Sequence, residues 1–185
     1  MRRFEEKIVK IETFEIQYLQ EAKDALKSAF FRKESDEIFN EWEFAERVLR
    51  SEGYLPGLCF IAREKDKIIG YNALTMASIG ESKGLALGPL GVRQEYQNQG
   101  VGSCLVKESI QRARSAGYPW IVLLGGAYYS RFGFESGQPY GITVSDNPFE
   151  NAHIQILFLD DKVKNEVSGK LIYCDAFYDE RGNLL

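Results

Sequence analysis

The residues best suited to chemistry lie together in Leu85 to Val106, LALGPLGVRQEYQNQGVGSCLV. An apolar, strand-like run from Leu85 to Val92 gives way to a short polar loop, and Gln97-Asn98-Gln99-Gly100-Val101-Gly102-Ser103 then opens an amphipathic helix. The first N–H groups of a helix have no internal partner and sit at the positive end of its dipole, so they bind phosphate oxygens. Gly100 and Gly102 lack the Cβ atoms that would hold a pyrophosphate away from that backbone. The chemistry expected here is backbone capture of an anion. A P-loop would need GK[ST] at the end of the loop, and a dinucleotide fingerprint would need G-x-G-x-x-G. Here Gly102 is followed by Ser103 and no third glycine comes in register. A tight turn into a helix with no ligand is the plain alternative.

The stretch resembles the signature of the GCN5-related N-acetyltransferases, whose acetyl-CoA loop reads Gln or Arg, two residues, Gly, one residue, Gly or Ala. Gln97, Gly100 and Gly102 match it, and Gly88-Pro89-Leu90-Gly91-Val92 resembles the bulged strand that precedes the loop in that family. Farther on, Ala127-Tyr128-Tyr129-Ser130-Arg131-Phe132-Gly133-Phe134 resembles a later motif in which a tyrosine precedes a Gly-Phe pair by four residues. Tyr129 falls on that tyrosine and Gly133-Phe134 on the pair. The two matches at the expected separation are more specific than either alone. With a tail containing Gly169, Tyr173 and Ala176-Phe177, the chain also resembles a subgroup of bacterial predicted N-acetyltransferases.

The resemblance implies direct transfer of acetyl from acetyl-CoA, a co-substrate, to a primary amine of a small molecule or protein, with no metal. By the same analogy Gln97, Asn98, Gln99, Gly100, Val101, Gly102 and Ser103 hold the pyrophosphate, and Leu90, Gly91 and Val92 meet the pantetheine arm and thioester. Tyr129 is the matched proton donor to the departing sulfur; a phenol with a pKa near ~10 keeps its proton at neutral pH. The general base is not evident. Family members often place a carboxylate on the bulged strand, but Leu85 to Val92 contains none. Glu41, Glu43 and Glu81 are carboxylates available to a pocket, and Asn72 would orient a water. His153, the only histidine, is of the residue type most often used as a base near neutrality but reads as a structural or substrate-contacting residue at the start of a strand. Cys104 invites an acyl-enzyme reading, yet shares a helix side with Val101, Leu105 and Ile110 and is expected in the core.

The elements that must position these residues follow from periodicity. Lys7 to Phe14 alternates as a first strand, and residues 17 to 31 form a helix with one buried face. After Arg32-Lys33-Glu34-Ser35-Asp36, a second helical pattern runs through Ile38, Phe39, Trp42, Phe44, Ala45, Val48 and Leu49, with Ser35 as its cap and Gly53 as its stop. Trp42 reads as core, flanked by solvated acids. Leu58 to Ala62 and Ile68 to Met76 make a hairpin about Glu64-Lys65-Asp66-Lys67. A loop at Gly80 to Gly84 leads into the Leu85 to Val92 strand, completing an antiparallel meander. Pro89 cannot donate to a ladder, so a bulge is expected there. The glycine-loop helix ends at Gly117, and Trp120-Ile121-Val122-Leu123-Leu124 is a strand covered on both faces. Strand, helix and strand in that order predict a right-handed parallel crossover. Ile154 to Leu159 and Leu171 to Tyr173 supply tail strands.

The fold class is α/β (α+β), and by resemblance a mixed, mostly antiparallel sheet flanked by helices, with the bulged strand before the acetyl-CoA loop. Residues 1–185 read as one domain: 1–84 with N-terminal helices and hairpin bordering the acceptor, 85–134 as the acetyl-CoA core, and 135–185 with C-terminal strands. A chain of 185 residues is long enough to fill one core. The net charge of -4 gives no electrostatic reason to expect nucleic acid or anionic membrane as partner. Three cysteines without a CxxC pair, and an N-terminus whose apolar runs are broken by charges, point to the cytoplasm. An exposed tail strand offers a homodimer. Phe30, Phe31, Tyr54, Tyr128 and Tyr140 are candidates to line an apolar pocket. Two other readings stand beside the enzyme: a non-catalytic CoA- or acyl-CoA-binding regulatory module, and a nucleotide-binding protein, which the missing lysine and third glycine disfavour.

Overall fold

A computed structural model gives the structure of residues 9–31 and 40–185. Residues 7 and 8 of the first expected strand, and Ser35, Ile38 and Phe39 of the second helical pattern, lie outside the described residues. Strand β1 (Val9–Thr13) and helix α1 (Leu19–Phe30) lead to helix α2 (Glu43–Arg50), and then to three long strands, β2 (Tyr54–Glu64), β3 (Lys67–Ile79) and β4 (Ser82–Val92). These pair antiparallel in the order β1-β2-β3-β4. Both hairpin turns are tighter than the expected loops: Lys65 and Gly80 take left-handed φ values of 53° and 55°, and each strand pair closes within two residues. The expected Gly80 to Gly84 loop is therefore mostly strand. Its polar residues, Ser82 and Lys83, lie at an end of the sheet where one pairs with Ile79 and the other with Ser78. Helix α2 stops at Arg50 with Ser51 as its C-cap, before the expected Gly53.

Helix α3 (Val101–Ser115) crosses the sheet and returns the chain to β5 (Trp120–Leu124), which pairs parallel with β4. Gly117, at φ 79°, follows the helix end. The continuous apolar run of β5 is explained by its two covers. Ile121 and Leu123 join the core beneath α3, whereas Trp120 and Val122 join a second cluster with Ile154, Ile156 and Leu171. The remaining chain adds β6 (Glu135–Ser136), β7 (Ile142–Thr143), short helix α4 (Pro148–Asn151), β8 (Ile154–Phe158) and β9 (Gly169–Tyr173). β8 pairs antiparallel with β5, and β9 pairs with β3 and β7. Both tail strands of the sequence reading have partners within the chain, β8 between β5 and β6 and β9 beside β3 and β7.

Helices cover both faces of the long strands. Ala22, Ala25 and Leu26 of α1, with Ala45 and Val48 of α2, pack on the face that carries Tyr71 and Ala73. Val101, Leu105, Val106 and Ala113 of α3 pack on the opposite face with Leu74, Leu85 and Leu87. Alternation along β3 puts Asn72 on this second face, where Nδ2 donates to Ser109 Oγ of α3 at 2.5 Å. Cys104 is exposed, against the expectation of a core position. At 100° per residue the buried set Val101, Leu105, Val106, Ser109 and Ala113 spans an arc that residue 104 falls outside. Among the described residues no helix is long and apolar enough to cross a membrane.

Candidate active site

The site begins with a defect in the sheet. Leu90 is opposite Asn72 and Leu87 opposite Leu74, so Gly88 and Pro89 share one partner position on β3. This is the expected bulge, and the proline has no N–H to leave unsatisfied. β4 and β5 pair only at Leu85/Ile121 and Ala86/Val122, so among the described residues β4 has no strand neighbour on that side beyond the bulge. Two strands that part in this way leave a wedge walled by unpaired backbone.

A cavity of about 540 Å³ occupies the wedge. Leu90, Gly91 and Val92 form one wall; Gln97, Asn98, Gly100, Gly102 and Ser103 line it from the loop and the start of α3. Tyr128, Tyr129 and Arg131 face it from a 3-10 helix, Ala127–Phe132, and Ala29 and Phe30 of α1 complete it with Tyr96. Most of the expected cofactor residues thus meet, together with Tyr129. Gln99 and Val101 do not line the cavity: Gln99 Nε2 donates to the Glu95 carbonyl at 2.9 Å, and the Val101 side chain is core. The Val101 N–H, in the first turn, still belongs to the helix end that lacks internal acceptors.

The loop conformation suits an anion. Asn98 and Gly100 have φ values of 59° and 86°, left-handed values that turn the chain into α3. Gln97 is spent on structure, its Nε2 donating to the Val92 carbonyl at 2.9 Å and so tying the loop to the bulged strand. Gly102 is the point of closest approach. A Cβ there would sit 3.3 Å from Tyr128 Oη, 3.8 Å from Val92 Cγ2 and 3.9 Å from Leu90 Cδ2, filling the space over the helix end. Ser103 Oγ and Tyr128 Oη are 3.0 Å apart, a hydrogen bond across the wedge.

Tyr129 is held by aromatic edges, with Tyr128 at 5.1 Å and Phe134 at 5.9 Å between ring centroids. Gly125 permits the packing, because a Cβ there would lie 2.8 Å from Tyr129 Cε2. Burial, and then the neighbouring Tyr128, push the Tyr129 phenol above its ordinary pKa. It keeps its proton throughout the neutral range.

The other candidates are elsewhere. Glu81 occupies the β3–β4 turn, nine residues along the chain from Leu90, or ~30 Å of strand from the bulge. Asn72 is fully buried on Ser109 and cannot orient a water in the wedge. Neither Glu41 nor Glu43 lines the cavity, and one oxygen of Glu41 is buried without a hydrogen-bond partner, not solvated. His153 is exposed outside the cavity, with Nδ1 2.7 Å from the Phe149 carbonyl oxygen. Of the aromatic candidates, Phe30 and Tyr128 line the wedge. Phe31 is exposed, Tyr54 packs in the α1/α2 cluster, and Tyr140 meets Phe158 edge to face. Tyr96, Ala29 and Arg131 were not foreseen; Arg131 lies inside the second motif and packs 4.7 Å from the Tyr128 ring. Among the described residues no carboxylate lines the wedge and no cluster of metal-ligating side chains forms. A second cavity, 470 Å³ between β7, β9 and the C-terminal residues, contains none of the motif residues.

A split sheet with a glycine-lined helix end in the split is a geometry suited to an extended ligand that carries phosphate. Residues 17–134 match the model of the acetyltransferase (GNAT) family, and the chain belongs to that family. Over 132 residues it is 32% identical to the uncharacterized N-acetyltransferase YhbS of Escherichia coli K12, covering 70% of this chain and 78% of the relative. Over 110 residues it is 36% identical to the uncharacterized N-acetyltransferase YjhQ of the same organism, covering 57% of each. The crystal structure of E. coli YhbS in complex with CoA superposes with a TM-score of 0.80 at 26% identity, covering 95% of this chain and 94% of that one. A GNAT acetyltransferase from Brucella melitensis in complex with acetyl-CoA gives 0.74 at 25% identity, covering 92% and 99%.

Proposed function

We propose that the chain transfers an acetyl group from acetyl-CoA directly to a primary amine of a small molecule or protein. The observation that carries this reading is the wedge beyond the bulge, with a bare helix end on one side and a protonated Tyr129 on the other. The residues fit a CoA pyrophosphate, because Gly102 leaves open the space a Cβ would fill and the left-handed turn at Gly100 exposes the first N–H groups of α3. Acetyl-CoA supplies the acetyl group as an activated thioester. Leu90, Gly91 and Val92, lacking a strand partner on the β5 side, offer backbone groups to its pantetheine arm; Ser103 offers its hydroxyl in exchange for Tyr128. Tyr129 holds a proton at Oη for the departing sulfur. With no carboxylate in the wedge among the described residues, the acceptor nitrogen either gives its proton through a water to a base outside the wedge or arrives neutral. Residues 85–134 form the cofactor core, and α1 with Phe30 borders the acceptor. Three free thiols suit a reducing compartment, and the cytoplasm is the location proposed.

The test is CoA thiol release from acetyl-CoA across a panel of primary amines, for the parent and Tyr129→Phe. Turnover by the parent and its loss in a variant that still binds CoA support the enzyme. Binding with no turnover on any amine supports the non-catalytic acyl-CoA-binding module instead.

A further inference from the structure

Among the described residues none makes a hydrogen bond to the Tyr129 side chain, so the backbone before it must set its direction. That backbone is Gly125-Gly126, where β5 ends and the 3-10 helix begins. Both carbonyls are held by one side chain: Gln155 Nε2 lies 2.7 Å from Gly125 O and 2.6 Å from Gly126 O. A carboxamide nitrogen has two hydrogens, and here two carbonyls take them; the facing pair of acceptors also decides which end of the amide points inward. Gly126 is the N-cap of the 3-10 helix, and the Tyr129 N–H turns back to its carbonyl at 3.5 Å. The Gly125 N–H donates to the His153 carbonyl at 2.9 Å, so the double glycine hangs from β8 at both ends of one dipeptide. Gly125 also lies directly under the Tyr129 ring, too close for a Cβ. A shift of this dipeptide therefore moves the phenol. Gln155 stands opposite Leu123 on β8 and shares a face with Leu157, which packs on the same core as Tyr129 and Phe134.

We propose that Gln155 is the positioning residue for Tyr129, its carboxamide pinning the Gly125 and Gly126 carbonyls and with them the turn that carries the phenol into the wedge. This rests on the reading of Tyr129 as the proton donor. Gln155→Glu keeps the shape, removes both donors and sets carboxylate oxygens against two carbonyls; Gln155→Met removes the donors without adding charge and serves if the Glu variant fails to fold.

The experiment is a double-mutant cycle with Tyr129→Phe, read as CoA thiol release with the parent's best amine. Each Gln155 variant is expected to lower kcat by about 10- to 100-fold with the KM for acetyl-CoA kept within about twofold. In the Tyr129→Phe background the same change costs no more than about a further twofold. A second readout needs no substrate: fluorine NMR of the unliganded protein carrying 3-fluorotyrosine at position 129. The resonance moves in both Gln155 variants and its titration midpoint falls toward that of a free fluorophenol, whereas Gln17→Glu, on the exposed surface, leaves both unchanged. An unmoved resonance, or an equal loss of kcat with and without Tyr129, overturns the proposal. Full activity in Tyr129→Phe would instead overturn the donor reading, and an unmoved fluorotyrosine resonance in the Gln155 variants would still count against Gln155.

Discussion

The two ends of β4 differ in what their second edge meets. At Leu85 and Ala86 the strand is paired on both sides, by β3 and by β5, and is fully covered. Four residues on, at Leu90, it has β3 on one side and the wedge on the other. Between the two lies Gly88-Pro89, where one extra residue bulges from the β3 ladder, and the β5 ladder has already stopped at Ala86. The closed end is set by packing and the open end by backbone left unpaired. Substitutions should accordingly affect stability at the first and binding or turnover at the second.

The largest effect is expected at the closed end. Trp120 is fully buried, its ring fills the space over Gly84, and its Nε1 donates to Ser82 Oγ at 2.9 Å. Trp120→Ala should cost about 3–5 kcal/mol in urea unfolding, with CoA affinity of the remaining folded protein unchanged. At the open end Tyr129→Phe should lower kcat by about 100-fold and leave the melting temperature within a degree or two. Its pH profile sharpens the assignment. Because burial raises the phenol's pKa, the proton is lost only above about pH 10, and a rise in rate between pH 6 and 9 then belongs to the acceptor amine. A flat loss with no alkaline limb in the parent would count against Tyr129.

Behind the bulge Ser109→Ala should cost about 1–3 kcal/mol. It removes the partner of Asn72 Nδ2, and Asn72 Oδ1 already has none. Replacing both together, Asn72→Leu with Ser109→Ala, should recover most of that loss in the same unfolding assay. The smallest effect is expected at Arg131, an exposed cation on the wedge rim: Arg131→Ala should weaken CoA binding about threefold to tenfold by calorimetry, and less at high salt.

The open end was the more legible of the two in the sequence. Gly88, Pro89, Gly100, Gly102 and Gly133 each act through a local backbone requirement, and their spacing carries that requirement directly. Strand ends were not legible, because Ser78, Ser82 and Lys83 look like loop residues and are strand only through their partners across the hairpin. Cys104 sits between Val101 and Leu105 in sequence and so resembles a core residue, yet it lies outside the buried arc of α3 and is exposed. Gln155 gave no signal at all. A glutamine alternating with isoleucines reads as a solvent-facing strand residue, and its partners are 29 and 30 residues earlier in the chain, brought near only by the β5–β8 register. The wall of the wedge supplied by Ala29 and Phe30 depends on where α1 packs, and no short motif encodes that.

The measurement that bears most directly on the central claim is a calorimetric titration of acetyl-CoA into the parent and Gly102→Asp. Gly100 is unsuited to this, since its left-handed φ would strain any side chain. At the second residue of α3 an aspartate suits the helix dipole, so the melting temperature should hold, while its Cβ and charge occupy the space assigned to the pyrophosphate. The account predicts binding near about 1 μM for the parent and at least about 100-fold weaker binding for the variant. A folded Gly102→Asp that binds acetyl-CoA as tightly as the parent would contradict it.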